Sequence, residues 1–391
     1  MRGYITQRGK KGTSSWTIVI YTGRDPISNK KKYEWHSVKG TKKHAEQEMS
    51  KLLTQLDSGT YVKPNKLTVG IFLEQWLRDY AKTNTAPRTF ERYAEIIRLH
   101  LIPNLGSISL ANLKPAHIQA YYSIELTTGR LNGKGGLSQQ TVKHHHRVLS
   151  EALHHALKWG LVVRNVCDAV DPPKPEKREM HTIQAEDTVR LLDEAKKLEK
   201  TGGVPYYTIF YMALHTGMRR GEILALRWND IDLDMATISV NRSLQILDNR
   251  TIIIREPKTQ KSKRTIAMTP SLVLNLREFK INMSALKLLE GKSISQDDLI
   301  FSHIDGTAYN PDTVTCAFNK IAKRAGFKLR RHDLRHTHAT LMLKSGIHPK
   351  IVSERLGHST VAFTLDTYSH VVPGLQEAAA KKFDDMIRLR Y

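Results

Sequence analysis

The sequence predicts a multidomain α+β protein: a small sheet-plus-helix N-terminal domain, an all-helical domain, and a mostly α C-terminal domain with a small antiparallel sheet. Three observations support this prediction. The 391 residues exceed what a single hydrophobic core usually organises. Apolar residues recur mainly at helical spacing, and they alternate as in strands only in short stretches. Three prolines between Asp171 and Arg178 indicate a linker, so we expect domains at residues 1–66, 67–165 and 179–391.

The charge balance points to a polyanionic partner. The chain has 61 Lys and Arg against 38 Asp and Glu, a formal net charge of +23, and nucleic acid is the commonest partner of such a surplus. A membrane surface is the alternative, but no stretch approaches the roughly 18 to 20 apolar residues that span a bilayer. The N-terminus has no signal-peptide pattern. Cys167 and Cys316 make neither a disulfide framework nor a zinc site, so we expect a cytoplasmic protein.

Residues 1–66 contain two strand patterns and one helix pattern. Trp16–Tyr21 is rich in β-branched and aromatic residues, Tyr33–Val38 alternates apolar and polar residues, and Lys42–Leu56 reads as a helix. Basic residues cluster here while acidic residues are few, which favours contact with DNA over an ordinary solvated surface. The basic candidates are Lys10, Lys11, Arg24, Lys30, Lys31 and Lys32.

Residues 67–165 have the pattern of four helices. An aromatic residue recurs every four positions around Trp76, which predicts one buried helical face. Pro103 is predicted to end the second helix, and Ser138 is a plausible N-cap for the fourth.

The fourth predicted helix carries two groups of histidines, His144–His146 and His154–His155. They could bind a metal ion, but no carboxylate or cysteine stands at ligand spacing. We therefore interpret them as a polar helix face near DNA.

The C-terminal domain contains an arginine and a glutamate on one helical face. Arg219 and Glu222 are three residues apart, in Thr-Gly-Met-Arg-Arg-Gly-Glu, and are therefore neighbours on a helix. An arginine that must hold a phosphate needs a carboxylate to fix its orientation. An ordinary surface ion pair is the alternative, and the spacing alone favours it.

Three strand patterns follow, at Ala236–Val240, Arg250–Arg255 and Arg264–Met268. We interpret the loop between the last two strands as the turn of a hairpin that could reach a DNA groove. A solvated basic loop is the alternative. The loop carries Lys258, Lys261 and Lys263.

Four further candidates lie near the C-terminus. His332 and Arg335 are three residues apart in Leu-Arg-Arg-His-Asp-Leu-Arg-His-Thr, His358 ends Leu-Gly-His, and Tyr368 follows ten residues later. A lone histidine or tyrosine usually serves packing. The signal is the combination of two arginines, a lysine, two histidines and a tyrosine, in this order and in one domain.

In that order the set resembles the catalytic residues of the tyrosine recombinase family, and more narrowly of the integrases of temperate phages and conjugative transposons. The motifs Thr-Gly-Met-Arg, His-Asp-Leu-Arg-His-Thr and Leu-Gly-His carry the resemblance, which covers the whole chain. It implies an arm-type DNA-binding domain with a three-stranded sheet at 1–66, a core-binding domain at 67–165 and a catalytic domain at 179–391. The implied catalytic positions are Arg219, Lys258, His332, Arg335, His358 and the nucleophile Tyr368, with Glu222 supporting them.

The resemblance also implies the reaction. The two arginines would clamp the phosphate, His332 would act as general base, His358 would donate a hydrogen bond, and Lys258 would act as general acid. The general acid could instead be Lys261 or Lys263. The product would be a 3′-phosphotyrosyl link that stores the energy for rejoining, so neither a cofactor nor a metal ion is expected.

The expected partners follow from the same resemblance. They are double-stranded DNA with core-type and arm-type sites, further copies of the chain in a homotetramer, and an excisionase and a host DNA-bending protein at the bacterial nucleoid. The tail, residues 374–391, has an amphipathic helix pattern. We expect it to dock on a neighbouring protomer, with packing on its own domain as the alternative.

Three other functions are alternatives. One is a non-catalytic DNA-binding or architectural protein on the same scaffold, against which the intact residue set argues. Another is a type IB topoisomerase, which uses similar chemistry without a defined site. The third is a metal-dependent integrase using Asp230, Asp232 and Asp234, whose spacing suits a turn better.

Overall fold

The computed structural model divides into two compact units, residues 1–176 and 177–391, and the boundary falls inside the proline-rich linker. Each unit is treated by itself below. The described residues are 3–7, 15–24, 28–57, 66–176, 180–200, 202–248, 250–256, 262–368 and 375–388.

A three-stranded antiparallel sheet and one helix begin the first unit. Strands β1 (Gly3–Gln7), β2 (Ser15–Arg24) and β3 (Lys31–Lys39) lie in the order β1-β2-β3, and α1 (Lys42–Asp57) follows them. The β-branched residues of the central strand are buried, from Ile18 to Ile20, where such side chains pack well. The predicted sheet and helix are confirmed. Strand β1 was implied by the resemblance, whereas the residue pattern alone did not indicate it.

The rest of the first unit is helical. A π-helical turn at Leu77–Ala81 interrupts the first long helix and a second one at Ile97–Leu101 interrupts the next. The α-helical segments are α2 (Val69–Trp76), α3 (Lys82–Asn84), α4 (Pro87–Ile96), α5 (Ile102–Leu105), α6 (Pro115–Thr128) and α7 (Gln139–Lys158), with 3₁₀ turns at Leu110–Asn112 and Val166–Ala169.

The aromatic pattern around Trp76 forms the core of this helical part. Trp76 is fully buried, and its ring lies 5.7 Å from that of Tyr93. Ser138 caps α7 as predicted, because its Oγ accepts the Thr141 N–H at 3.2 Å. The prediction that Pro103 ends the second helix is wrong. The chain stays helical to Leu105, since the proline comes directly after a π-helical turn that already interrupts the regular hydrogen-bond ladder.

The second unit is mostly helical, as predicted. Its large core includes Phe210, Phe301 and Phe318, and a smaller cluster packs Leu356 and Tyr368 together. A 3₁₀ turn at Trp228–Asp230 leads from the first helices into the strands. The helices are α8 (Ala185–Leu198), α9 (Tyr206–Thr216), α10 (Arg220–Leu224), α11 (Pro270–Leu289), α12 (Pro311–Arg324), α13 (Asp333–Lys344), α14 (Pro349–Leu356), α15 (Val361–Tyr368) and α16 (Leu375–Arg388).

Short strands form two antiparallel sheets in this unit. Strands β4 (Ile231–Asp232), β5 (Thr237–Val240) and β8 (Arg264–Ala267) make one sheet in the order β4-β5-β8. Strands β6 (Ser243–Ile246) and β7 (Ile252–Arg255) make the other.

The predicted hairpin around Lys258, Lys261 and Lys263 is wrong. Strand β7 pairs with β6 through a tight turn, in which the Leu247 N–H donates to the Thr251 carbonyl at 3.0 Å. Strand β8 pairs with β5 instead. The segment between β7 and β8 therefore joins two sheets. The error arose because the pattern of β6 was not recognised as a strand, so β7 was paired with the next strand along the chain.

No helix among the described residues is both long and apolar enough to cross a membrane.

Candidate active site

Gly217, whose backbone is in the left-handed conformation, positions Arg219 in the site. Gly217 ends α9 with a φ of 65°, and Arg219 is the N-cap of α10. A Cβ at Gly217 would lie 2.5 Å from Leu356 Cδ2 and 2.7 Å from His338 Cδ2. Position 217 therefore requires glycine both for its backbone conformation and for its lack of a side chain.

Replacing Gly217 by alanine should destabilise the protein by about 2–4 kcal/mol, because strain at positive φ adds to the overpacking. Urea denaturation measures the loss. Gly291→Ala is the matched control, since Gly291 has a φ of 68° and open space around it. Equal destabilisation in the two variants would contradict the packing argument.

Glu222 holds two guanidinium groups. Its Oε1 accepts a hydrogen bond from Arg219 Nη1 at 2.8 Å, and its Oε2 accepts one from Arg264 Nη2 at 2.8 Å. The Glu222 side chain is 6% exposed, so this is not the ordinary surface ion pair that the spacing alone favoured. Burial by itself would raise the pKa of Glu222, but hydrogen bonds and charge from Arg264, then Arg219, lower it to about 2.

Arg335 lies buried beside these groups. Its Nη1 donates to the Gly217 carbonyl at 2.7 Å, and its Nη2 donates to the Leu356 carbonyl at 2.6 Å. No carboxylate of the described residues forms a salt bridge with it. Burial, then the positive charge of Arg219, lowers the pKa of Arg335 to about 9. Two neutral carbonyls orient this guanidinium and leave its charge uncompensated, which suits the binding of an anion.

Tyr368 is the last residue of α15 and only 1% exposed. Its hydroxyl lies 2.9 Å from His336 Nδ1, and its ring stacks on that of His358 with 6.4 Å between centroids. Burial raises the pKa of Tyr368 to about 12, although the nearby Arg335 charge acts in the opposite direction. The phenol is therefore protonated at neutral pH, and it could act as a nucleophile only if a neighbouring group accepted its proton.

His358 lies beside this tyrosine, and His332 lies beside His336, which contacts the tyrosine hydroxyl. His358 follows Gly357, and its Nδ1 lies 2.8 Å from Thr364 Oγ1. His332 is exposed and its ring centroid lies 4.9 Å from that of His336. Desolvation, followed by neighbouring cationic groups, lowers the pKa of His358 to about 3, and desolvation with the His336 ring lowers that of His332 to about 4. Both imidazoles are neutral at pH 7.

The structure brings Arg219, Glu222, His332, Arg335, His358 and Tyr368 together. Lys258 and Lys261 lie outside the described residues. Lys263 is described, and its Nζ contacts Glu256 Oε2 at 2.8 Å.

The predicted DNA contacts of the N-terminal domain remain predictions. Lys10 and Lys11 lie outside the described residues, whereas Arg24, Lys31 and Lys32 are exposed on the first sheet and Lys30 is exposed just before β3.

Sequence reasoning missed two residues of the site. His336 contacts the tyrosine hydroxyl, and the signal for it was its place one residue after Arg335. Arg264 pairs with Glu222 and also donates from Nε to the Arg355 carbonyl at 2.7 Å. Arg264 was missed because it is the first residue of a predicted strand and was interpreted only as part of that strand.

The acidic residues of the metal-dependent alternative are engaged elsewhere. Arg242 Nη2 donates to both oxygens of Asp230 at 2.8 Å. Asp232 Oδ1 accepts the backbone N–H groups of Asp234 and Met235, which is the turn that the spacing indicated.

The histidines of α7 do not form one polar face, so that interpretation is wrong. His145 is 1% exposed and its Nδ1 lies 2.7 Å from the Tyr121 hydroxyl. His155 Nδ1 accepts the Trp76 indole N–H at 3.1 Å. The sequence showed no carboxylate at ligand spacing from these histidines. In the structure, Glu125 of helix α6 lies close to His145 and supplies one.

The fold and this arrangement define a class, the tyrosine recombinases. A family model described as the phage integrase family matches residues 181–373, and one described as the phage integrase N-terminal SAM-like domain matches residues 68–125. The chain belongs to this family and is a tyrosine-type site-specific recombinase.

Relatives match over nearly the whole chain. A "Tyrosine recombinase XerC-like" protein of Caldanaerobacter subterraneus subsp. tengcongensis is 28% identical, over 96% of this chain and 97% of its own length. The "ICEBs1 integrase" of Bacillus subtilis is 27% identical, over 97% of this chain and 99% of its own.

Solved structures share the fold. The Tn1549 transposon integrase in complex with a circular intermediate DNA has a TM-score of 0.65 and 19% identity, covering 81% of this chain and 99% of that one. A lambda integrase tetramer bound to a Holliday junction has a TM-score of 0.56 and 18% identity, covering 93% of this chain and 96% of that one.

Proposed function

We propose that this recombinase integrates and excises a mobile element by attacking DNA phosphodiesters with Tyr368. The observation that carries the proposal is the grouping of the Tyr368 phenol with Arg335, His336 and His358 in one buried cluster. The integrase relatives support the same function.

Arg219 and Arg335 would clamp the non-bridging oxygens of the phosphate. Glu222 fixes Arg219, and two backbone carbonyls fix Arg335, so neither guanidinium must reorganise when charge develops in the transition state. Preorganised donors of this kind commonly contribute several kcal/mol to transition-state stabilisation. His358, neutral at pH 7, would donate a further hydrogen bond to the same phosphate.

The phenol proton would leave through a pair of histidines. His336 Nδ1 is in hydrogen-bond contact with the hydroxyl, and His332 lies next to His336 nearer the solvent. This geometry supports His332 as the general base, acting directly or through His336. Lys258 would protonate the leaving 5′ oxygen, an assignment that rests on the resemblance.

The proposed cleavage step exchanges one phosphoester bond for another. The Tyr368 oxygen forms a bond to phosphorus as the bond to the 5′ oxygen breaks, one proton passes to a histidine and another reaches the leaving oxygen. The phosphotyrosyl ester conserves the bond energy. The 5′ hydroxyl of another strand can then reverse the step, and strands are exchanged without an added energy source.

Replacing His336 by glutamine should slow strand cleavage by about 100-fold, at the lower end of what a general base contributes, because His332 remains. Affinity for DNA should stay within about twofold of wild type. His303→Gln, which changes an exposed histidine of the same unit, is the control. A wild-type cleavage rate in His336→Gln would remove His336 from the proton path.

The first sheet would bind arm-type sites. Its outer face combines exposed basic residues with exposed aromatic ones, Tyr4, Tyr33 and Trp35. Basic side chains supply salt-dependent phosphate contact, and the helical and catalytic domains, at 67–165 and 179–391, would grip the core-type site. An excisionase and a host DNA-bending protein would set the direction of the reaction.

The tail would join protomers into a homotetramer. Helix α16 exposes Phe383, Met386 and Ile387, which supports a partner surface elsewhere in an assembly. Deleting residues 376–391 should lower recombination at least about tenfold, while the Kd for a single core site changes less than twofold. Lys381→Ala, a change on the polar part of the same helix, serves as control. Unchanged recombination after the deletion would refute tail docking.

Covalent trapping tests the proposed function. Nicked duplexes built from the two ends of the element that carries the gene would be incubated with the full chain. We expect a covalent complex whose DNA adduct maps to Tyr368 by peptide mass spectrometry. Trapping without exchange, together with relaxation of supercoiled DNA at any sequence, would indicate a type IB topoisomerase. Binding without any adduct would indicate a non-catalytic DNA-binding protein.

A further inference from the structure

Three ligand-type side chains meet between helices of the first unit, away from the residues that the mechanism uses. They are His100 in the π-helical turn Ile97–Leu101, Glu125 in α6 and His145 in α7. One ligand atom from each lies within 4.8 Å of the others. Glu125 Oε2 is 2.8 Å from His100 Nδ1 and 3.9 Å from His145 Nδ1. Single π-helical turns are rare and often occur at functional sites.

The carboxylate of this cluster is buried and incompletely satisfied. The Glu125 side chain is 3% exposed, and its Oε2 has no well-directed hydrogen bond among the described residues, although His100 Nδ1 lies 2.8 Å away as an ion-pair partner. Its other oxygen accepts the Asn104 side-chain amide at 3.2 Å. A buried carboxylate oxygen without a well-directed donor is costly unless a cation binds it, so Oε2 is the atom that points to a ligand.

One neighbouring group orients the carboxylate as an outer-shell residue orients a metal ligand, because the Asn104 side-chain amide donates to Glu125 Oε1. The Tyr121 hydroxyl lies 2.7 Å from His145 Nδ1, a contact that an ion bound to that nitrogen would replace. The two imidazole centroids are 4.7 Å apart.

An ion could reach the cluster from solvent. A cavity of about 370 Å³ is lined by His100 and His145 together with Arg92 and Arg130. Both arginines would repel a cation, but Arg92 is paired with Glu95 at 2.6 Å and Arg130 Nε donates to the Gly136 carbonyl at 2.9 Å. The Arg92 side chain is also 49% exposed, so solvent screens its charge.

We propose that His100, Glu125 and His145 bind Zn²⁺ and tie together three helical segments of this domain. Two imidazoles and one carboxylate are a ligand set that zinc accepts, with water from the cavity completing tetrahedral coordination. Nitrogen ligands disfavour Mg²⁺, which prefers oxygen. The ion would be structural and take no part in strand transfer.

The test uses the full chain, with any affinity tag removed and bound metal extracted by a chelator. Titration with Zn²⁺ alone should give saturable binding of a single ion, and saturation should raise the Tm by roughly 4 °C or more. Mg²⁺ should produce neither effect. An absence of saturable Zn²⁺ binding would mean that the cluster is only a hydrogen-bonded network, and the proposal would be wrong.

Matched variants locate the ion. His100→Gln should weaken Zn²⁺ binding at least about tenfold, a loss that even outer-shell changes cause. His144→Gln, the same substitution on α7 outside the cluster, should bind as wild type does. Comparable Tm values for both metal-free variants would show that His100→Gln folds. Glu125→Gln adds a second, nearly isosteric probe. Equal Zn²⁺ affinity in His100→Gln, Glu125→Gln and His144→Gln would place the ion elsewhere and overturn the assignment.

Discussion

Tyr368→Phe should eliminate covalent trapping on nicked DNA, a loss of at least about 10⁴-fold, because it removes only the oxygen that forms the bond to phosphorus. The ring keeps its packing against His358 and Leu356. The lost hydrogen bond to His336 should cost about 1 kcal/mol of stability. Gel separation under denaturing conditions detects the adduct, and a filter-binding or fluorescence assay measures DNA affinity, which should change less than twofold.

Tyr309→Phe is the matched control for that experiment. Tyr309 is 2% exposed in the same unit, and its hydroxyl also donates one hydrogen bond, to the Gly203 carbonyl at 3.3 Å. The same atom is therefore removed from a similarly buried ring, and trapping should stay at the wild-type level. If Tyr368→Phe trapped DNA as well as Tyr309→Phe does, another residue would be the nucleophile and the proposed mechanism would fail.

Short-range spacing made part of this site predictable. Arg219 with Glu222, and His332 with Arg335, each lie three residues apart, and helical geometry alone makes such pairs neighbours. The order of these pairs and of Tyr368 then led to the family, which the family models confirm. The fold class, with a small sheet, a helical part and a mostly helical part with short strands, was predictable for the same reason, since each element has a local periodicity.

The parts of the site and fold that the sequence did not predict depend on contacts between residues far apart in sequence. Arg264 reaches Glu222 across 42 residues, and Tyr368 reaches His336 across 32. No local pattern encodes such pairs. The false hairpin has the same origin, because the partner of β7 was a short strand that precedes it and the partner of β8 was β5. Glu125 and His145 likewise meet only through helix packing.

Glu222→Gln should be the most damaging single change to the stability of the site. Glu222 is buried and compensates two guanidinium groups, one of which, Arg264, is itself 7% exposed. Removing one partner of a buried ion pair leaves an uncompensated charge, which typically costs about 3–5 kcal/mol. Urea denaturation at pH 7 measures the loss. Because Arg219 would also lose its anchor, strand cleavage should fall even at temperatures where the variant remains folded.

The pH dependence distinguishes this mechanism from a simple packing defect. The pKa of Glu222 is lowered in the folded protein to about 2 from a usual value of 4.5, so its contribution to stability is complete above pH 4.5. That contribution, on the order of 3 kcal/mol, is lost as the pH falls from 4.5 towards 2. The stability difference between wild type and Glu222→Gln should therefore be constant near neutrality and shrink in that acidic window.

Asp230→Asn is the control for the comparison between wild type and Glu222→Gln. Asp230 is a buried acid that pairs with Arg242 in the same unit but holds no residue of the site. It should lose stability for the same electrostatic reason and keep the wild-type rate of strand cleavage once folded. A difference between wild type and Glu222→Gln that stayed constant down to pH 2 would mean that shape, and not the charge of Glu222, stabilises the two arginines.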